Sequence, residues 1–157
     1  MKNKTLAVWL TFLLGALGLH RWYLLERYDA LARLLPIPTL LGAYGVWRAR
    51  SLGVDDLWSW LLIPMLGFTL AGCALNAIVY GLMAPEKWNQ RFNAQAPVDA
   101  PAGATNWVTI LGVGAALAVG TTVLMASIAF SFQRYFEYQM EDAQSLSQPA
   151  PLKKSAG

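Results

Sequence analysis

The side chains best suited to chemistry sit in one short run, Gly15-Ala16-Leu17-Gly18-Leu19-His20-Arg21-Trp22-Tyr23. An arginine fork grips phosphates and carboxylates, and a histidine adds a group that titrates near neutrality. His20 and Arg21 therefore suit recognition of an anionic lipid headgroup or a partner carboxylate. The same patch has a plainer reading, in which His20 and Arg21 end a helix at the headgroups while Trp22 and Tyr23 anchor it there. Interfacial anchors are common, so the plainer reading is favoured.

Catalytic chemistry finds little else to work with. His20 is the only histidine, so a multi-histidine metal site is excluded. Cys73 is the only cysteine, which excludes an intramolecular disulfide. It lies in an apolar run, where a thiol is ordinarily inert. There is no glycine-rich phosphate loop, Walker pattern or zincin motif. Glu26, Asp29, Asp55 and Asp56 are the acidic residues an enzyme reading would have to recruit. The expectation is a protein that is not an enzyme and has no cofactor and no metal.

These residues are set between long apolar stretches. The chain has 157 residues, 56% hydrophobic and 13% charged, against about 25% charged in an average soluble domain. The net charge of +3 is mild. Its basic residues flank apolar runs instead of forming a stripe, so a nucleic-acid partner is not expected.

A membrane-crossing helix needs about 20 apolar residues to span a core about 30 Å thick. Four stretches qualify. The first runs from Thr5 to about Leu25. It follows Lys2 and Lys4 and so mimics a signal peptide, but further apolar segments follow and it is read as a retained helix. The sequon Asn3-Lys4-Thr5 lies too close to the membrane to count. The second, Ala30 to Trp47, carries Pro36 and Pro38, and is read as a spanning helix that is kinked or partly re-entrant. The third, Leu57 to Met83, and the fourth, Trp107 to Phe132, carry no charge. Pro64 predicts a kink in the third. Six of the seven tryptophans fall near segment ends, as membrane interfaces favour.

The expected fold class is all-α: a polytopic membrane protein of four transmembrane helices. Residues 1–56 form a helical hairpin and its following connection, and 57–83 the third helix. Residues 84–106 form a polar, proline-rich loop. Residues 107–144 are the fourth helix with a cytoplasmic extension, in which Arg134 and Glu137 pair on the surface. Residues 145–157 read as a disordered tail. Four crossings and the Lys/Arg distribution place both termini in the cytoplasm.

Small residues mark the packing faces, because they let helices approach closely in lipid. Gly112, Ala116 and Gly120 share a face of the fourth helix. Gly67 with Ala71, and Gly72 with Asn76, offer faces on the third. Asn76 is the one strongly polar side chain deep in that helix. Packing within the chain is favoured over self-association. No Asp, Glu, Lys or Arg sits mid-membrane in the last two helices, which argues against a proton-coupled carrier but not against a passive pore.

The first part of the chain resembles the TM2 domain family, whose members pair two membrane helices across a tight connection. The family pattern has a lysine before the first helix, then glycines, then His-Arg-aromatic-Tyr. Lys4, Gly15, Gly18, His20, Arg21, Trp22 and Tyr23 match it, and the resemblance covers residues 1–56. Trp22 stands where the family more often has Phe, and Leu25 where a Gly usually follows. The resemblance implies a helical pair around a turn at Glu26 to Asp29, but no general biochemical activity. With the short loops, it suggests a bacterial inner membrane. The favoured expectation is a small, non-enzymatic integral membrane protein that packs with itself, a partner protein or the lipid bilayer. An oligomeric transport or channel component is the alternative, and a membrane enzyme comes last.

Overall fold

The computed structural model describes residues 1–25, 30–53 and 56–147. The turn expected at Glu26 to Asp29, Asp55, and the tail from residue 148 onward lie outside the described residues. So does the side chain of Ser145. Every regular element among the described residues is helical: α1 (Lys4–Leu14), α2 (Leu19–Leu25), α3 (Ala30–Leu34), α4 (Pro36–Leu52), α5 (Leu57–Leu82), α6 (Pro85–Phe92) and α7 (Trp107–Ser147), with short 3-10 turns at Gly15–Leu17 and Pro101–Gly103.

Three stretches are long and apolar enough to cross a membrane: Ala30–Leu52, Leu57–Leu82 and Pro101–Gln144. The first expected span, Thr5 to Leu25, is different. It is not one rod but two short helices folded back on each other. Helix α1 has 11 residues, about 16 Å at 1.5 Å per residue, roughly half of what a crossing requires. Gly18 then takes φ 78, a left-handed value that costs other residues about 1–2 kcal/mol, and its N–H closes the turn on the Gly15 carbonyl at 2.9 Å. Helix α2 returns, bringing the Leu24 carbonyl to the Lys2 ammonium and the Tyr23 hydroxyl to the Asn3 backbone N–H.

In the second stretch Leu35 joins α3 to Pro36, the first residue of α4, with helical dihedrals (φ −55, ψ −38) and its N–H bonded to the Leu31 carbonyl at 3.1 Å. A proline tolerates a helix's first turn, where its missing N–H would be unbonded anyway. Pro64 lies within the unbroken α5.

The long helices pack through small residues. Gly42 and Gly45 of α4 lie against α5, where a Cβ built on Gly42 would stand 2.7 Å from the Leu66 nitrogen and one on Gly45 2.5 Å from the Leu62 Cβ. Gly120 of α7 leaves no room beside Ala74 of α5, at 2.6 Å. Val8, Ala74, Ala77 and Ala116 form the core where α1, α5 and α7 meet.

The segment 84–106, expected as a polar loop, is folded. It holds α6 and one 3-10 turn, and the reason is Trp88. Its indole is fully buried with Ala7 and Leu24 and donates to the Lys2 carbonyl at 3.0 Å. Asn89 donates to the carbonyls of Val98 and Ala100, tying the following chain to α6. Beyond the apolar part of α7 the helix continues to Ser147, and Arg134 pairs with Glu137 at 2.8 Å.

Candidate functional site

The N-terminal hairpin carries the most distinctive sequence and the densest polar bonding. Its foundation is Lys4, a fully buried lysine. Asn3 caps α1 by accepting from the Leu6 N–H at 3.2 Å, which sets the direction of the helix. Lys4 then points its ammonium at the Met83 carbonyl, at the end of α5, and at the Thr105 hydroxyl 2.7 Å away. A cation is favoured there, because the last carbonyls of a helix are unbonded and carry its negative pole. Burial pushes the Lys4 ammonium below its ordinary value, and the charge of Glu86 opposes that shift. Lys2 caps α2 in the same manner through the Leu24 carbonyl. Asn93 completes the lock by donating to the Lys2 carbonyl at 3.1 Å.

At the other end of the hairpin the chain turns beside α5. A Cβ built on Gly15 would meet the Cys73 Cβ at 2.9 Å and the His20 Nδ1 at 3.5 Å. Thr39 of α4 donates to the Ala16 carbonyl at 2.8 Å, satisfying one backbone group of the turn. A buried backbone group needs such a partner from within the protein.

The four residues expected as one interfacial patch are divided. His20 is 1% exposed and faces inward toward Gly15, with its Nδ1 unbonded. Arg21 is half-buried. Trp22 points outward, 56% exposed. Tyr23 turns back to the N-terminus, where its hydroxyl accepts from the Asn3 N–H at 2.8 Å. They do not form a single surface that could close around one anion.

The expected packing residues also divide. Gly67 lies against Ser127, Gly112 against Val8 and Trp9 of α1, and Gly120 against Ala74. Ala116 is fully buried in the central cluster. Ala71 is half-buried, while Gly72 faces open space and Asn76 is exposed, its amide donating to the Gly72 carbonyl at 3.1 Å. Three features were not read from the sequence: Lys4 as a buried group, Gly42 and Gly45 as a packing pair, and Trp88, expected near a membrane interface, as a core residue. The glycine pair was legible as two small residues three apart.

Outside the hairpin, Asp56 caps α5 by accepting from the Ser59 N–H at 2.9 Å and holds Arg48 of α4 in a two-pronged pair at 2.6 and 2.9 Å. The hydrogen bond from Arg48, then those from Ser59, hold the Asp56 carboxyl well below the usual carboxylate range. Among the described residues no three His, Cys, Asp or Glu side chains are grouped to hold a metal ion.

No family model matches the chain, and neither a curated protein nor a solved structure matches it.

Proposed function

We propose that the protein is a non-enzymatic membrane scaffold, with three crossings and an N-terminal hairpin that enters and leaves the membrane on the same side. The observation that carries this reading is the inverted distribution of side-chain size. Along the long helices α4, α5 and α7 the buried positions are small or hydroxylated, among them Gly42, Gly45, Ser59, Gly67, Ala74, Ala77, Ala116 and Ser127. The large apolar side chains point outward, among them Leu61, Leu75, Leu117 and Met125, each more than half exposed. An aqueous core is built the other way round. In lipid, apolar surface costs nothing outside, and small residues inside let backbones approach.

Three crossings and a re-entrant hairpin replace the four spans expected from the sequence. Gly15 packs beside Cys73, nine residues before Leu82, so the hairpin reaches about 13 Å below the end of α5, close to mid-membrane. An odd number of crossings puts the termini on opposite sides. Among the described residues, Lys2, Lys4, Lys87 and Arg91 gather on the N-terminal side, against Arg48, Arg50 and Arg134 on the other, which favours a cytoplasmic N-terminus. The short connections suit a bacterial inner membrane.

The TM2 resemblance of residues 1–56 is part of the proposal, and the matched residues support a folding role for it. Lys4 clamps the hairpin, Gly15 and Gly18 shape its turn, His20 fills its interior and Tyr23 ties it shut. Association proceeds through the outward face of α5, where Asn76 presents a polar group beside the open Gly72. A partner or second copy that bonds Asn76 would relieve a polar group otherwise facing lipid. Cross-linking of the full protein in native membranes tests this. Asn76→Leu should reduce the cross-linked species severalfold, and an unchanged yield would contradict the reading.

A further inference from the structure

At the end of the bundle away from the N-terminus, α5 and α7 diverge and leave an open groove of about 790 Å³. Trp58, Leu61, Pro64 and Phe68 of α5 and Phe132 and Tyr135 of α7 line it, and its wall is almost wholly apolar. Ligand pockets of this size and lining hold apolar molecules with a few polar groups at one end. The groove extends from Leu57 to Phe68, about 16 Å along the helix. That is half the thickness of a hydrocarbon core, the length of one leaflet.

At its mouth lies a second, smaller pocket of about 70 Å³, which shares Leu57 and Trp60 with the groove. This one is polar. Asp56, Arg134, Glu137 and Glu141 line it. Asp56 is paired with Arg48 and Glu137 with Arg134. Glu141 has no ion-pair partner among the described residues. With these two pairs neutral, the described side chains that line the mouth leave one negative charge, on Glu141. An apolar trough one leaflet deep with an anionic mouth is complementary to a lipid whose headgroup carries an ammonium.

We propose that this groove binds one acyl chain of a phosphatidylethanolamine-type lipid, whose primary ammonium sits at Glu141 and whose phosphate faces Arg134. The proposal rests on the membrane reading above. A primary ammonium has three donors for the carboxylates, whereas an anionic headgroup such as phosphatidylglycerol is repelled by Glu141.

The test uses the full-length protein, purified in mild detergent, stripped of lipid and titrated with phosphatidylethanolamine or phosphatidylglycerol, with bound lipid read by native mass spectrometry. The expected result is about a fivefold preference for phosphatidylethanolamine, the scale of one exposed charge contact. Glu141→Gln should bring the two lipids to equal binding. Glu141 is exposed, so this variant keeps the fold. Ser131→Phe, which fills the groove, should weaken both lipids while helix content by circular dichroism stays unchanged. Equal binding of both lipids by the unaltered protein, or a preference that survives Glu141→Gln, overturns the proposal. So does a detergent-stable dimer that Ser131→Phe dissociates, because the groove would then belong to a second copy. Flotation with vesicles separates the two levels. A protein that floats without lipid preference sinks this proposal alone, and one that does not float sinks the membrane reading with it.

Discussion

The N-terminal hairpin and the α5–α7 pair solve the same problem by different means. The long helices satisfy their own backbones, so they need only to come close, and Gly67, Ala74, Gly81, Gly120 and Ser127 let them. The hairpin is too short for that economy. It exposes a turn and two helix ends, and each is closed by a named side chain: Thr39 at the turn, Lys2 at the end of α2, and Asn3 at the start of α1. Lys4 in return closes the end of α5. In this fold a break in secondary structure is marked by polar side chains from elsewhere in the chain, and an unbroken helix by small ones, as the membrane reading requires.

The contrast can be broken from either side. The largest effect is expected from Gly67→Leu combined with Gly120→Leu, which overpacks the α5–α7 seam at two levels. Each substitution should cost about 2 kcal/mol, and thermal denaturation in detergent should show a Tm lower by roughly 10 °C. Gly18→Ala comes next. It forces a Cβ into the left-handed region and against the Ala32 carbonyl, at a cost of about 2–3 kcal/mol. Hydrogen exchange should quicken across residues 4–25 while residues 110–130 stay protected. Equal loss in both regions would mean that the hairpin and the long pair are one cooperative unit. Lys4→Met should cost about 1–2 kcal/mol by leaving the Met83 carbonyl and Thr105 unbonded, with protease sensitivity rising at the N-terminus first.

The smallest effect concerns Asp56, at the start of α5 and away from the small-residue seam. Its carboxyl is held below the ordinary value of 3.8, so the folded state binds its proton less readily than the unfolded state. The stabilisation it gives is complete above that pH and fades as pH falls below it toward the folded-state value. Asp56→Asn should lower the Tm by a few degrees at neutral pH, and the gap to the unaltered protein should narrow with acidification below pH 3.8. A gap that stays constant with pH would separate Asp56's role from its charge.

Much of the helical architecture is legible in the residues. The charge-free runs of α5 and α7 can be read as long helices because nothing else tolerates so many apolar side chains in succession. The small-residue spacing at Gly112, Ala116 and Gly120 names a face. It does not name what the face meets, and the same spacing at Gly72 and Asn76 marks a face that points outward. The hairpin was not legible, because residues 5–25 are apolar enough and long enough to be one helix. Gly18 and the polar pair His20-Arg21 mark a break there but do not say that the chain reverses, and glycine is ordinary inside membrane helices. What decides the matter is long-range: Lys4 meets residues 79 and 101 positions away. The His20 to Tyr23 patch failed as a single surface for a related reason. Successive residues on a helix point about 100° apart, so four neighbours cannot share one side.

The central claim is that the first apolar segment turns back, leaving three crossings. Reporter fusions at the N- and C-termini of the full-length protein, read in the same cells, test it most directly. The account predicts that the N-terminal reporter is cytoplasmic and the C-terminal one is not. Two reporters active on the same side would contradict it and restore an even number of crossings.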